Sequence, residues 1–544
     1  MKKSIMLILN YFITIHLYAQ VNTEQQLDSL FAKYSSKDAP GFSLTIVKDG
    51  EVIHSYQRGL ANLEYDIPIN DKTIFMLASI SKQFTAACIS LLISDKKMAL
   101  DDDVRKYLPE LPNYGKTITI RHLLNQTSGI RNHNVLQDLK GSNYEFEIYT
   151  NKQVCELIFQ QKGINNVPGE KMLYSNSNYL LLALILERVS GKSLNSFATE
   201  HIFQPLGMSN TFYKSSNNEI IKNNAYPYYK DAKGYQQPRN IGIRGLNSTG
   251  RDLAKWSTIF TSNHSPFADI SKFLTTTDTL NDGTRSTYAR GMFVSNYKGY
   301  QTVHHSGMDI GMRTQMISIP KENITVILLA NTEHINAIDL CYQVLDLFIK
   351  PISISGKKVK VYTHKTKELI SFTGDYQEIN SDLKMSIMME RDTLKAKSSM
   401  GAHQIPLVAT NKNQFKRISN ASVTYTFNTP HTLKYDMVVD FGGANFYFER
   451  VQLIDPAKVP VFDYVGEYYS EELGVKYRLF VEDNNLYLCF PFNPKVLLLA
   501  GQKDVFGSQN RTRFTFKRNE KNAVSNFTIA SEGTVKDIEF KKLN

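Results

Sequence analysis

The sequence predicts an α+β protein: an antiparallel sheet flanked by helices, with a helical subdomain inserted, followed by two small antiparallel β domains of barrel type. Three observations carry this. Strand patterns stand at both ends of a long helical stretch, the texture turns β-rich beyond Pro351, and the β-rich part repeats itself. Strands that are far apart in sequence around a helical insertion imply one sheet with helices packed on it.

Lys2 and Lys3 precede a mostly apolar run from Ile5 to Leu17, and Leu17-Tyr18-Ala19 resembles a cleavage site before Gln20. This pattern predicts a signal peptide over residues 1–19 and a periplasmic or secreted protein; the run is short for a membrane span. Glu24 to Tyr34 has the spacing of a short amphipathic helix. Phe42 to Val47 and Val52 to Tyr56 read as strands joined by Asp49-Gly50, a strong hairpin turn. Helical patterns then run from about Ser81 to Phe260. Strand character returns at Tyr288 to Ser295, Gln301 to His304, Arg313 to Ile319 and Ile324 to Ala330, and a helix over His334 to Ile349 closes the region. The expected catalytic domain spans 20–352.

In the β-rich part, Phe372-Thr373-Gly374-Asp375-Tyr376 matches Tyr464-Val465-Gly466-Glu467-Tyr468. Asn445-Phe446-Tyr447-Phe448-Glu449 aligns loosely with Asp537-Ile538-Glu539-Phe540-Lys541. Two units of roughly 80–90 residues fit this repeat. The expected units are lipocalin-like barrels over 363–453 and 460–544, with Ile454 to Pro460 as linker.

A chain that is 42% hydrophobic and 21% charged is an ordinary globular protein. Its net charge of +11 is spread along the chain with no dense basic block, which argues against a nucleic-acid partner. Cys88, Cys155, Cys341 and Cys489 have no metal spacing; the first three lie in helix-like patterns as core thiols.

S-x-x-K is a weak signal, beginning at Ser79, Ser94, Ser295, Ser318, Ser355 and Ser381. Ser79 differs because it opens an apolar-periodic run containing Phe84, Cys88, Leu91 and Leu92, which places it at a helix start. There its backbone N–H can donate to an oxyanion, and Lys82 shares its face. A buried ammonium loses protons easily, so Lys82 is the candidate base. Pro168-Gly169 leads through Tyr174-Ser175-Asn176 into a helix from Tyr179 to Val189. Tyr149-Thr150-Asn151 has the same Tyr-x-Asn form but is expected to lack a following helix. Val303-His304-His305-Ser306-Gly307 lies on a strand, with His304 on the opposite face from His305.

These elements, in this order, resemble the serine β-lactamase and penicillin-recognising enzyme family. The likeness is to its class C-like branch, with its D-aminopeptidases, D-Ala-D-Ala carboxypeptidases and carboxylesterases. Arg121-His122-Leu123-Leu124 through Thr127-Ser128-Gly129, Pro205-Leu206-Gly207-Met208 and Ser248-Thr249-Gly250-Arg251-Asp252-Leu253 agree. The resemblance implies a serine hydrolase with Ser79 as nucleophile and with Lys82 and Tyr174 sharing proton transfer. It implies Asn176, His305 and Gly307 at the substrate, and an oxyanion hole from the backbone N–H groups of Ser79 and Met308. Where β-lactamases carry Lys in K-T-G this chain has His305, expected to titrate near neutrality, and this turns the expectation toward peptidase or esterase work. The two β domains after the catalytic domain add a likeness to D-aminopeptidases. Carboxylesterase or weak β-lactamase activity is the alternative, and an idle protein that binds cell-wall fragments is the non-enzymatic one. A small-molecule or short-peptide substrate is the expected partner. With no G-x-S-x-G, P-loop, H-E-x-x-H or dinucleotide fingerprint, no metal or cofactor is expected.

Overall fold

The structure, a computed structural model, describes residues 23–34, 36–142, 147, 149–214, 216, 219–237, 245–261, 267–352, 362–401, 403–418, 423–427, 435–441, 445–508 and 511–543. The expected signal peptide lies outside them. The elements used below are, in chain order, α1 (23–31), β1 (Phe42–Lys48), β2 (Glu51–Arg58), α2 (Ser81–Ser94), α3 (Ile120–Leu124), α4 (His133–Lys140), α5 (Asn151–Phe159), α6 (Asn176–Ser190), α7 (Gly250–Thr261), β3 (Phe293–Tyr297), β4 (Tyr300–Asp309), β5 (Met312–Ile319), β6 (Ile324–Ala330) and α8 (Ala337–Phe348). The chain forms two compact units. One holds residues up to 98, 186–277 and 287–354; the other holds 99–185, 278–286 and 355–544.

In the first unit a six-stranded sheet runs β3-β4-β5-β6-β1-β2, each strand antiparallel to its neighbours. The hairpin turn works as the sequence implies: Asp49 and Gly50 both take positive φ, at 52° and 85°. β6 is buried along its whole length and β1 over all but its last residue. β6 reads as a nearly continuous apolar run, as a strand covered on both faces does, whereas β1 alternates Phe42, Leu44 and Ile46 with the buried hydroxyls of Ser43 and Thr45. On one face Leu27 and Phe31 of α1 and Leu340, Cys341, Val344 and Leu345 of α8 pack on Phe42, Leu44, Ile46, Val326 and Leu328. The N-terminus of α7 presses on β1 through Gly250, where a β-carbon would stand 2.3 Å from Thr45 Oγ1. α2 is buried almost all round, as a helix inside a core must be. Its Phe84 ring lies 4.3 Å from that of Trp256, whose indole N–H donates to Gln83.

In the second unit the β-rich region forms two closed eight-stranded barrels, Gly374–Glu378 through Asn445–Val451 and Gly466–Ser470 through Val535–Lys542. The sequence repeat is a structural device. Gly374 and Gly466 hold φ of 143° and 150°, and the Tyr376 hydroxyl donates to Phe372 O at 2.8 Å as Tyr468 donates to Tyr464 O at 2.9 Å. The lumens are filled by side chains: Tyr376, Phe415, Tyr425, Phe427 and Phe448 in one, Tyr468, Phe514, Phe516, Phe527 and Phe540 in the other. The second barrel shares its core with α4 and α5, through Val135, Leu136, Leu139 and Leu157. The linker contains a short 3-10 turn, Pro456–Lys458. All four cysteines are free, with Cys88, Cys155 and Cys341 buried. Among the described residues no helix is long and apolar enough to cross a membrane.

Candidate active site

Ser79 lies in the single 3-10 turn Ala78–Ile80 that runs directly into α2. Ala78 holds φ +49, which a β-carbon disfavours, so the turn needs external support. Leu77 N–H donates to Leu246 O at 2.8 Å, and the Thr314 hydroxyl donates to Leu77 O at 2.9 Å. The Ser81 hydroxyl donates to Ala78 O at 2.5 Å while accepting from Leu246 N–H at 2.7 Å. Ser81 and Thr314 were not singled out from sequence. Ser81 is an x position that S-x-x-K leaves unspecified, and Thr314 is linked to the turn only by tertiary folding.

Lys82 is buried with 8% exposure, and its Nζ donates to Ser79 Oγ at 2.9 Å. Burial withdraws water from the ammonium and pushes its pKa down to about 7. Near neutral pH a sizeable fraction is free amine beside the hydroxyl, able to take its proton.

His305 is enclosed at 2% exposure. Its Nδ1 lies 2.7 Å from Ser306 O, and since a carbonyl only accepts, Nδ1 carries the proton. Nε2 is then the acceptor and takes the Tyr288 hydroxyl, 3.3 Å away. Burial first, then the Lys82 charge, push the ring down to about 3. The expectation that His305 titrates near neutrality is therefore corrected: it is a neutral group, and its burial could not be read from a strand pattern. His304 faces the other way, against Ser295 and the Phe293 ring.

Gly307 explains itself by close approach. A β-carbon there would meet Leu77 O and Thr314 Oγ1, both at 2.2 Å, the two atoms whose bond fixes the Ser79 turn. Met308 follows. Asp309 and Met312 close a two-residue turn and so form the hydrogen-bonded pair, which by alternation turns the Met308 N–H away from β5. β3 ends opposite His304 and does not extend to Met308.

Tyr174 and Asn176 belong to the second unit. Tyr174 is half-buried in the irregular segment before α6, and Asn176 is the first residue of that helix. Gln126, at φ +60, brackets the tyrosine. Its carbonyl accepts from Leu173 N–H at 2.8 Å, and its side-chain oxygen accepts from Ser175 N–H at 2.9 Å and from Asn178 Nδ2 at 2.6 Å. Asn132 Oδ1 accepts from the Asn176 N–H at 3.3 Å, and Asn134 Oδ1 accepts from Asn176 Nδ2 at 2.8 Å. The Pro168-Gly169 approach is fixed by Asn281, which donates to Pro168 O at 2.9 Å. Gln126, Asn132 and Asn134 were missed; the only hint was that they flank the Thr127-Ser128-Gly129 signature. At the rival Tyr149-Thr150-Asn151 a helix does follow, contrary to expectation: Thr150 caps α5 with a reciprocal bond to Gln153. Among the described residues no three His, Cys, Asp or Glu side chains gather as a metal site.

Residues 26–340 match the family model described as Beta-lactamase. The chain belongs to the beta-lactamase family. Within it, penicillin-binding protein 4* of Bacillus subtilis is 30% identical over 345 residues, spanning 57% of this chain and 72% of that protein. A D-aminopeptidase of Brucella anthropi is 24% identical over 517 residues, 90% of this chain and 93% of its own. Among solved structures, the octameric penicillin-binding protein homologue from Pyrococcus abyssi superimposes with a TM-score of 0.53 at 23% identity. It covers 86% of this chain and 98% of its own, and it supports the fold.

Proposed function

We propose that this beta-lactamase-family protein is an exported serine hydrolase that cleaves amide or ester bonds through an acyl-Ser79 intermediate, acting on small D-amino-acid peptides. The observation that carries the reading is the Lys82 Nζ at 2.9 Å from Ser79 Oγ, with burial holding the amine near pKa 7. Lys82 takes the hydroxyl proton as Ser79 attacks the carbonyl carbon, and the backbone N–H groups of Ser79 and Met308 receive the oxyanion. Tyr174 shares the proton transfer to the leaving group, and Asn176 orients Lys82 and the substrate amide. Water then attacks the ester carbonyl and releases the acid. These two roles rest on motif order and family likeness.

The D-peptide assignment is supported by the D-aminopeptidase of Brucella anthropi, alike along nearly the whole chain, barrels included. Neutral His305 supports the same direction, because it supplies no fixed cation for a penicillin-type carboxylate. Carboxylesterase work is the second reading, since the same acyl-enzyme serves both bonds.

A fluorophosphonate probe tests the mechanism: it is expected to label wild type at Ser79 and leave Ser79→Ala unlabelled. No label, or equal label on the variant, contradicts the assignment and favours an idle binding protein. A panel of D- and L-amino-acyl p-nitroanilides and short-chain p-nitrophenyl esters tests the substrate class. Preference for D-amino-acyl amides is expected, and preference for plain esters selects the esterase reading.

A further inference from the structure

The second barrel grips the peptide segment that holds the Tyr174–Asn176 loop. Arg131 and Glu472, 341 residues apart, form an ion pair whose side chains are 2% and 7% exposed. The Glu472 carboxylate also accepts from Lys162 N–H at 2.8 Å, and Arg131 donates to Gln161 Oε1 at 3.0 Å and to Asp537 O at 3.2 Å. The adjacent Asn132 N–H donates to Thr534 O at 3.2 Å. Both Thr534 and Asp537 lie at the last hairpin of that barrel, and the loop carrying Glu472 joins its first two strands.

The same four residues, 131–134, face the loop on their other side. Arg131 O accepts from the Ser177 hydroxyl at 2.7 Å, which in turn accepts from His133 N–H at 2.9 Å. Asn132 and Asn134 hold Asn176 through its backbone N–H and its side-chain amide. A buried ion pair adds little net stability against apolar replacements of its shape, but it imposes one geometry. Here that geometry is passed on within one residue to the motif.

We propose that Arg131 and Glu472 are positioning residues, through which the second barrel sets the placement of Tyr174 and Asn176. On this view the barrel is a working part of the hydrolase. The inference rests on the acyl-Ser79 reading.

The test uses the full-length protein and the kinetics of fluorophosphonate labelling, which separate the maximal labelling rate from the half-saturating concentration. Wild-type labelling at Ser79 is scored first, and its absence overturns the hydrolase reading itself. Glu472→Gln cuts the latch at the barrel end, and Ser177→Ala cuts it at the motif end. Each is expected to lower the maximal rate by about tenfold or more while the half-saturating concentration stays within about twofold and near-UV circular dichroism is retained. Glu471→Gln, at the neighbouring exposed pair with Lys162, is expected to stay within about twofold of wild type in both quantities. A folded Glu472→Gln with wild-type labelling overturns the proposal, as does a loss confined to one of the two folded variants. So does an equal loss in Glu471→Gln. If Glu472→Gln does not fold, Ser177→Ala decides alone: loss supports the proposal and wild-type rate overturns it.

Discussion

At the Ser79 turn burial tunes the reactive groups, whereas the Tyr174–Asn176 loop hangs from side-chain amides. Lys82 owes its chemistry to lost water: burial brings its pKa to about 7, and the same burial keeps His305 neutral. The other region has the side-chain oxygens of Gln126, Asn132 and Asn134 accepting hydrogen bonds that fix where an aromatic hydroxyl and an amide stand. Desolvation sets a proton affinity and is indifferent to small shifts. Hydrogen-bond frames set positions and fail when one member is lost. Damage to the first region should therefore change pH behaviour, and damage to the second should change rate at unchanged pH behaviour.

The largest expected effect comes from Lys82→Met. Fluorophosphonate labelling should fall by about 10²–10⁴-fold, while the melting temperature rises. The sign follows from proton counting. The folded lysine titrates near 7 and the unfolded one near 10.5, so between those values the unfolded chain holds a proton that the folded one lacks. Stability rises with pH through that window, and at pH 7 the penalty is on the order of 4 kcal/mol. Methionine removes it, and melting curves from pH 7 to 10 should become flatter.

Next is Gln126→Ala, which strips acceptors from Ser175 N–H and Asn178 Nδ2 in a buried site. A labelling loss of about 10–100-fold is expected with the pH midpoint unmoved; a shifted midpoint would erase the contrast between the two regions. Gly307→Ala comes third. Its β-carbon would drive into Leu77 O and Thr314 Oγ1, costing about 1–3 kcal/mol by denaturant titration and about tenfold in labelling. Smallest is Asn134→Ala, which removes one half-buried bond to Asn176; a loss of up to about fivefold is expected, near 1 kcal/mol.

What could be read from sequence divides along the same line. The Ser79–Lys82 contact was legible because three residues along a helix fix its geometry, and the helix after Tyr174-Ser175-Asn176 was legible from its apolar period. The barrels announced themselves because Tyr376 and Tyr468 each need the same backbone acceptor four residues earlier. Gln126 was not legible, since its role depends on a positive φ and on partners about fifty residues away. Arg131 and Glu472 were invisible for the same reason at greater range. His305 was found but misjudged, because its ionisation depends on enclosure by Tyr288, Phe293 and Lys82, which a local pattern does not contain.

The central claim is that Ser79 is activated by a Lys82 amine that desolvation has made available near neutral pH. The most direct measurement is the rate of fluorophosphonate labelling at Ser79 from pH 5 to 10. The expected result is a single titration with its midpoint near 7, about tenfold slower per unit below it and level above, and lost in Lys82→Met. A rate that keeps climbing toward pH 10, or a pH-independent one, would contradict it.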